Sequence, residues 1–192
     1  MAYKFIDLFC GIGGFHQAAQ ASGGRCVFAS DIDIEAKRAY EANYNITPYG
    51  DITQINTSEI PEHDILFAGF PCQPFSIIGK KLGFDDIRGT LFFEIARILK
   101  VKKPKMFILE NVKQLYTHNK GETLKIIIET LEKLGYKVYK NGKAVSDIIT
   151  DFTLPIAVFV RLTEDSVPKE ESRALAISVI RADVTVLDQL LL

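Results

Sequence analysis

Residues 3–30 read YKFIDLFCGIGGFHQAAQASGGRCVFAS, and this stretch decides the fold class. Tyr3–Phe9 is apolar and β-prone, and the glycine turn 11-GIGG-14 ends it. An amphipathic stretch then runs to Ser22, and Cys26–Ser30 is a second β-prone run. The order is strand, glycine turn, helix, strand. Outward from it the alternation continues. Ile34–Tyr44 has a helical pattern, Gly50-Asp51-Ile52 reads as the end of a short strand, and Ile65–Phe70 is a buried strand halted by Pro71. Leu91–Lys100 is a helix, Met106–Leu109 a strand, Glu122–Leu134 a helix stopped by Gly135, and Tyr136–Tyr139 a strand. Strands alternating with helices of about 10–15 residues predict a doubly wound α/β sheet. Such sheets bind ligands outside the carboxyl ends of their strands, so the residues just after each strand carry the functional argument.

Beyond Tyr139 the pattern weakens. Leu154–Leu162 is a candidate strand, 164-EDSVPKEES-172 is a polar linker, and 174–192 mixes apolar and charged residues without turn signals. The chain therefore divides into an α/β unit over 1–139 and a segment of different character over 140–192. With 192 residues, 47% of them hydrophobic, a sizeable core is within reach. A formal net charge of −1 excludes a global basic field. Any surface for a polyanion must be local, and Lys100, Lys102, Lys103 and Lys105 form the one cluster, which reads equally as a solvated helix end. Three cysteines are too few for a disulfide framework and too irregularly spaced for a zinc site. The first residues lack the marks of a signal peptide, and no apolar run approaches the ~20 residues that span a bilayer. The expectation is a cytoplasmic protein without metal or membrane partner.

The strand ends carry polar groups with specific chemistry. Gly11, Gly13 and Gly14 follow the first strand, where glycine lets backbone approach a ligand at a helix N-terminus or simply makes a tight turn. The dinucleotide pattern G-x-G-x-x-G fails, because His16 stands where the third glycine belongs. After Ser30 come Asp31 and Asp33. One of them is placed to accept from ribose hydroxyls and the other to cap the next helix, and we read Asp31 as the ribose acid. Asp51 is placed to accept from an adenine amino group with Ile52 against the ring, or is an ordinary turn aspartate. Cys72, held between Pro71 and Pro74 at a strand end, has the stiff setting a thiolate nucleophile needs. Cys26 lies inside a strand and, with Cys10, reads as an inert hydrophobe. Glu110 ends a neighbouring strand, where a carboxyl can hydrogen-bond or protonate a ring nitrogen held over Cys72. His16, His63 and His118 have no spacing that suggests a metal or a triad, and all three are expected at the surface.

Taken together, FIDLFCGIGGF at 5–15, GDIT at 50–53, GFPCQPFS at 69–76, RGTLFF at 88–93 and LENV at 109–112 resemble the ordered motifs of bacterial cytosine-5 DNA methyltransferases. The resemblance covers residues 3–139. It implies a class I, Rossmann-like fold that binds S-adenosyl-L-methionine and methylates C5 of cytosine in duplex DNA, in a restriction-modification setting. By position it implies that Phe9, Gly11, Gly13, Asp31, Asp51, Ile52, Pro71 and Leu91 line the cofactor. Cys72 would attack ring C6 of a flipped-out cytosine while Glu110 engages N3. Gln73, Ser76 and Arg88 would contact DNA, the stretch Ile77–Arg88 forming a loop that closes on it.

The departures are as specific as the match. The family follows its sixth strand with D-F/Y-G-x-P and then Q-x-R-x-R. Here Asp151-Phe152-Thr153-Leu154-Pro155 is similar to the first part, but Ile156 follows directly and Arg161 is a poor substitute for the arginines. The target-recognition domain and the asparagine motif beyond it are missing, so the expected domain is incomplete at its C-terminus. Alternatives are a catalytic subunit or inactive fragment of a split enzyme, completed by a second polypeptide that supplies recognition, and an RNA cytosine-5 methyltransferase.

Overall fold

The computed structural model describes residues 3–71, 91–111, 115, 117–139 and 156–161. Six strands form one sheet: β1 Lys4–Leu8, β2 Arg25–Ser30, β3 Ile65–Gly69, β4 Met106–Asn111, β5 Lys137–Tyr139 and β6 Ile156–Arg161. Their spatial order is β2-β1-β3-β4-β6-β5, and every neighbouring pair is parallel. Four helices accompany them: α1 Gly14–Ala21, α2 Ile34–Tyr44, α3 Leu91–Lys102 and α4 Glu122–Lys133.

Both faces of the sheet are covered, which is why its central strands are nearly continuous apolar runs. Along β1, Ile6 and Leu8 join one face, where Phe92, Ile95 and Leu99 of α3 and Ile127 and Leu131 of α4 complete the larger core. Phe5 points to the other face and meets His16 of α1 edge-on at 5.4 Å, while Phe15 stacks on Phe67 at 5.2 Å. The chain leaves β1 for β2 on one side and returns to β3 on the other. The carboxyl ends of β1 and β3 therefore flank the switch point where such sheets open a crevice.

Two expectations need correction. Residues 50–52 form no strand. Tyr49 makes a single parallel bridge to Ser30, and a 3-10 turn over Ile52–Gln54 follows at once. Pro48 has no N–H to extend a ladder, and Asp51 caps the turn by accepting from the Thr53 N–H at 2.9 Å. His16 and His63 are buried, not surface residues. The His16 ring stacks on Tyr44 at 3.9 Å, its Nδ1 lies 2.6 Å from the Tyr40 hydroxyl, and burial lowers its pKa to about 4. The lysine cluster lies where α3 ends and β4 begins, the helix end that one of its two readings named. That is the amino edge of the sheet, about 16 Å along β4 from Glu110 at 3.3 Å per residue. Lys102 there is paired with Glu62 at 2.9 Å.

Asp7 is the anomaly of β1. Its carboxyl is fully buried on the α1 side, and neither oxygen makes a hydrogen bond of normal geometry. Desolvation holds its pKa well above the usual carboxylate range, and Asp31 adds to the rise. The His16 backbone N–H works in the opposite direction and is the lesser effect. A carboxyl with a raised folded pKa stabilises the fold only while protonated, and that contribution is lost as pH rises above the ordinary carboxylate range. Asp7→Asn is accordingly expected to stabilise the chain by about 1–3 kcal/mol at pH 7.5. The gain should shrink toward pH 4. Thermal melts at the two pH values test this, and a variant less stable than the parent at pH 7.5 would refute it.

Candidate active site

The turn after β1 is built on unusual backbone. Phe9, Gly11 and Gly13 have φ of 54°, 52° and 94°. Phe9 accepts this strained conformation and lines the crevice. Gly13 has no alternative, since a Cβ there would lie 2.1 Å from Cε2 of Tyr44, whose hydroxyl donates to the Gly13 carbonyl at 2.8 Å. Asp31, at the end of β2, accepts from the Gly11 N–H at 2.7 Å through Oδ2 and from the Asp33 N–H at 2.9 Å through Oδ1. Asp33 caps α2, accepting from the Ala36 N–H at 2.9 Å. The two aspartates thus divide their work, one ordering the turn and the other starting a helix.

A cavity of about 550 Å³ opens at the carboxyl ends of β1, β2, β3 and β4. Of the residues expected at a cofactor, Phe9, Asp31, Asp51, Ile52, Pro71 and Leu91 reach its wall, and so does Glu110. Gly11 and Gly13 do not. They act from behind the wall, Gly11 through Asp31 and Gly13 through Tyr44. Cys72, Gln73, Ser76 and Arg88, with the whole stretch Ile77–Arg88, lie outside the described residues, although Pro71 on the wall leads directly into Cys72.

Sequence reasoning missed further wall residues. Ile32 is 73% exposed between two aspartates, and an apolar side chain in that setting was the available signal. Ser30, Thr53, Phe70 and Asn111 also line the cavity and carried no such mark. Asn111 donates from Nδ2 to the Phe70 carbonyl at 2.7 Å, tying the tips of β3 and β4 together. Gly69 leaves room for the neighbouring acid, because a Cβ there would meet Glu110 Oε2 at 3.1 Å. Burial pushes the Glu110 pKa up, which favours a protonated carboxyl able to donate a hydrogen bond.

The wall has a chemical bias. Asp31, Asp51 and Glu110 supply acceptors or acids, Phe9, Ile32, Ile52 and Leu91 supply apolar surface, and among the described residues no lysine or arginine lines it. Such a wall suits a neutral or cationic nucleoside better than a phosphorylated one. Among the described residues, no group of three or more His, Cys, Asp or Glu could hold a metal ion, and no helix is long and apolar enough to cross a membrane.

Comparison with known proteins gives a consistent result. The family described as C-5 cytosine-specific DNA methylase matches residues 3–147. The chain is 60% identical over 153 residues to the type II methyltransferase M.NgoBI of Neisseria gonorrhoeae, covering 80% of this chain and 47% of that protein. It is 57% identical over 153 residues to the type II methyltransferase M.HaeII of Haemophilus aegyptius, with the same coverage of 80% and 47%. It therefore spans about half the length of the curated relatives it matches. Among solved structures, a mutant of Spodoptera frugiperda DNMT2 matches with a TM-score of 0.55 and 29% identity, over 71% of this chain and 44% of that one.

Proposed function

Because this chain belongs to the C-5 cytosine-specific DNA methylase family, we propose that its cavity holds S-adenosyl-L-methionine and that the whole protein methylates C5 of cytosine in duplex DNA. The observation that carries the reading is the wall itself: three acidic side chains, a set of apolar ones and no cation among the described residues, at a sheet switch point. Asp31 would receive the ribose hydroxyls, Asp51 the adenine amino group, and Ile32, Ile52 and Phe9 the ring. When bound, the cofactor supplies an electrophilic methyl group on a sulfonium centre, and a wall with no lysine or arginine among the described residues accepts that positive charge without repulsion from them.

The rest of the chemistry belongs to side chains. The Cys72 thiolate adds to C6 of the flipped-out base, forming a carbon–sulfur bond. Glu110, whose pKa burial raises, would donate to N3 and draw off the negative charge that this addition would leave on the ring. C5 becomes nucleophilic and takes the methyl group. Loss of the C5 proton to a base then expels the thiolate and restores aromaticity. Gln73, Ser76 and Arg88 are the proposed DNA contacts. Residues 1–139 form the cofactor and catalytic unit in this reading, with β6 contributed from beyond it, and the cytoplasm is the proposed setting.

Titration calorimetry tests the first half of the proposal with the chain alone. S-adenosylmethionine and S-adenosylhomocysteine are expected to bind one per chain, at least tenfold more tightly than NAD or ATP. Equal or tighter binding of the phosphorylated ligands would refute the assignment of the cavity.

A further inference from the structure

We propose that Arg97 is a positioning residue that sets the nucleoside end of the cavity, an inference that rests on the cofactor reading above. Leu91, Glu94 and Arg97 fall three residues apart along α3, which places them down one flank of the helix. The first of them is on the cavity wall. The last reaches across to the opposite wall. Nη2 of Arg97 donates to the Ile52 carbonyl at 3.1 Å and to the Ile55 carbonyl at 3.0 Å, while its Nε donates to Glu94 Oε2 at 2.8 Å. The guanidinium is thus held in plane by an acid of its own helix and aimed at two carbonyl oxygens of the turn that carries Asp51, Ile52 and Thr53.

That turn has little else to hold it. It is three residues long, and its own bonds are the Asp51 cap on the Thr53 N–H at 2.9 Å, Gln54 N–H to the Asp51 carbonyl at 3.0 Å and Ile55 N–H to the Ile52 carbonyl at 3.3 Å, none of which ties it to another element. No strand continues through it, since Tyr49 makes only one bridge to β2. Ile52 anchors it by burial in the core, but a buried side chain fixes depth better than rotation. The forked guanidinium supplies the missing constraint and ties the adenine-facing turn to the helix bearing Leu91. Lysine cannot replace it, because a single ammonium on a flexible stem has no planar fork. An offset of under 1 Å at such a wall is enough to misplace a hydrogen bond.

The test uses the full chain and two ligands, S-adenosylhomocysteine and S-inosylhomocysteine, which differ at the group that Asp51 would read. The parent should bind the adenine form at least tenfold more tightly. In Arg97→Lys, affinity for the adenine form should fall about tenfold, and the preference over the inosine form should drop at least fivefold. Asp31→Ala provides the contrast, a loss common to both ligands with the preference kept. Glu94→Gln should reproduce the Arg97→Lys result in milder form, and it carries the test if Arg97→Lys does not fold. A general loosening of the fold would weaken both ligands alike, so an unchanged preference in folded Arg97→Lys, or in Glu94→Gln in its place, overturns the inference. Failure of the parent to bind either ligand overturns the cofactor reading, and this proposal with it.

Discussion

Asp31→Ala is expected to lower the affinity of the chain for S-adenosylmethionine by about two orders of magnitude. A hydrogen bond to a charged partner contributes roughly 1.5–3 kcal/mol, and an acid receiving both ribose hydroxyls makes two such bonds. The lower end for the pair, about 3 kcal/mol, corresponds to somewhat over a hundredfold. The same carboxylate orders the glycine turn, so its removal also frees the Gly11 N–H at 2.7 Å and the Asp33 N–H at 2.9 Å. Asp31→Asn retains an acceptor for the turn but loses the charge, and should fall between the two, near tenfold. Asp33→Ala supplies the contrast. It removes the cap of α2 and should cost about 1 kcal/mol of stability while leaving affinity nearly intact. Calorimetry and thermal melts on the three variants separate these effects, and undiminished binding by Asp31→Ala would show that the ribose acid lies elsewhere.

Cys72→Ser is expected to abolish covalent capture of DNA carrying 5-fluorocytosine. Fluorine at C5 blocks the final proton loss, so the thiolate adduct accumulates in the presence of S-adenosylmethionine and can be resolved under denaturing conditions. Removing a nucleophile of this kind typically costs a factor on the order of 10³ or more. Neither other cysteine can substitute. Cys10 is buried, and desolvation with the nearby Asp7 and Asp31 pushes its thiol far up. Burial likewise raises Cys26, whose sulfur lies 3.6 Å from the Tyr40 hydroxyl. Cys10→Ser and Cys26→Ser should therefore trap as the parent does. An adduct that persists in Cys72→Ser would reassign the nucleophile.

The alternation of strands and helices was legible because each element buries one recognisable face, and the acids at strand ends were legible because their distance from the glycine turn is fixed by one βαβ unit. The division of labour between Asp31 and Asp33 was read from position, with Asp31 for the ribose and Asp33 for the cap, and the cap is what the structure shows. Spacing alone favoured that division without fixing it, and the bonds from Gly11 to Asp31 and from Ala36 to Asp33 give each acid a structural task. The burial of His16 was hidden for a different reason. Its environment is assembled from Phe5, Tyr40 and Tyr44, residues up to 28 positions away, so a helical position that looks polar locally becomes an aromatic sandwich. Gly11 and Gly13 were correctly marked as constrained, but glycine reports a backbone requirement without saying whether ligand or protein imposes it. Arg97 carried no signal at all, because its partners are main-chain carbonyls, which every residue has.

The placement of β6 has a consequence for how the chain is made. β4 and β5 are joined through α4 but do not pair with each other, since β6 lies between them and is the strand partner of both. A nascent chain that has emerged only through Tyr139 therefore presents the edge of β4, with Met106 to Asn111 lacking a partner on that side. Parallel edges of this kind recruit other strands, including those of neighbouring ribosomes' products. Synthesis rates of about 5–20 residues per second leave that edge open for roughly one to four seconds before Arg161 follows Tyr139 out of the exit tunnel. A pause taken when Tyr139 has just left the exit tunnel should lower the yield of soluble chain more than an equal pause taken after Arg161 has left it.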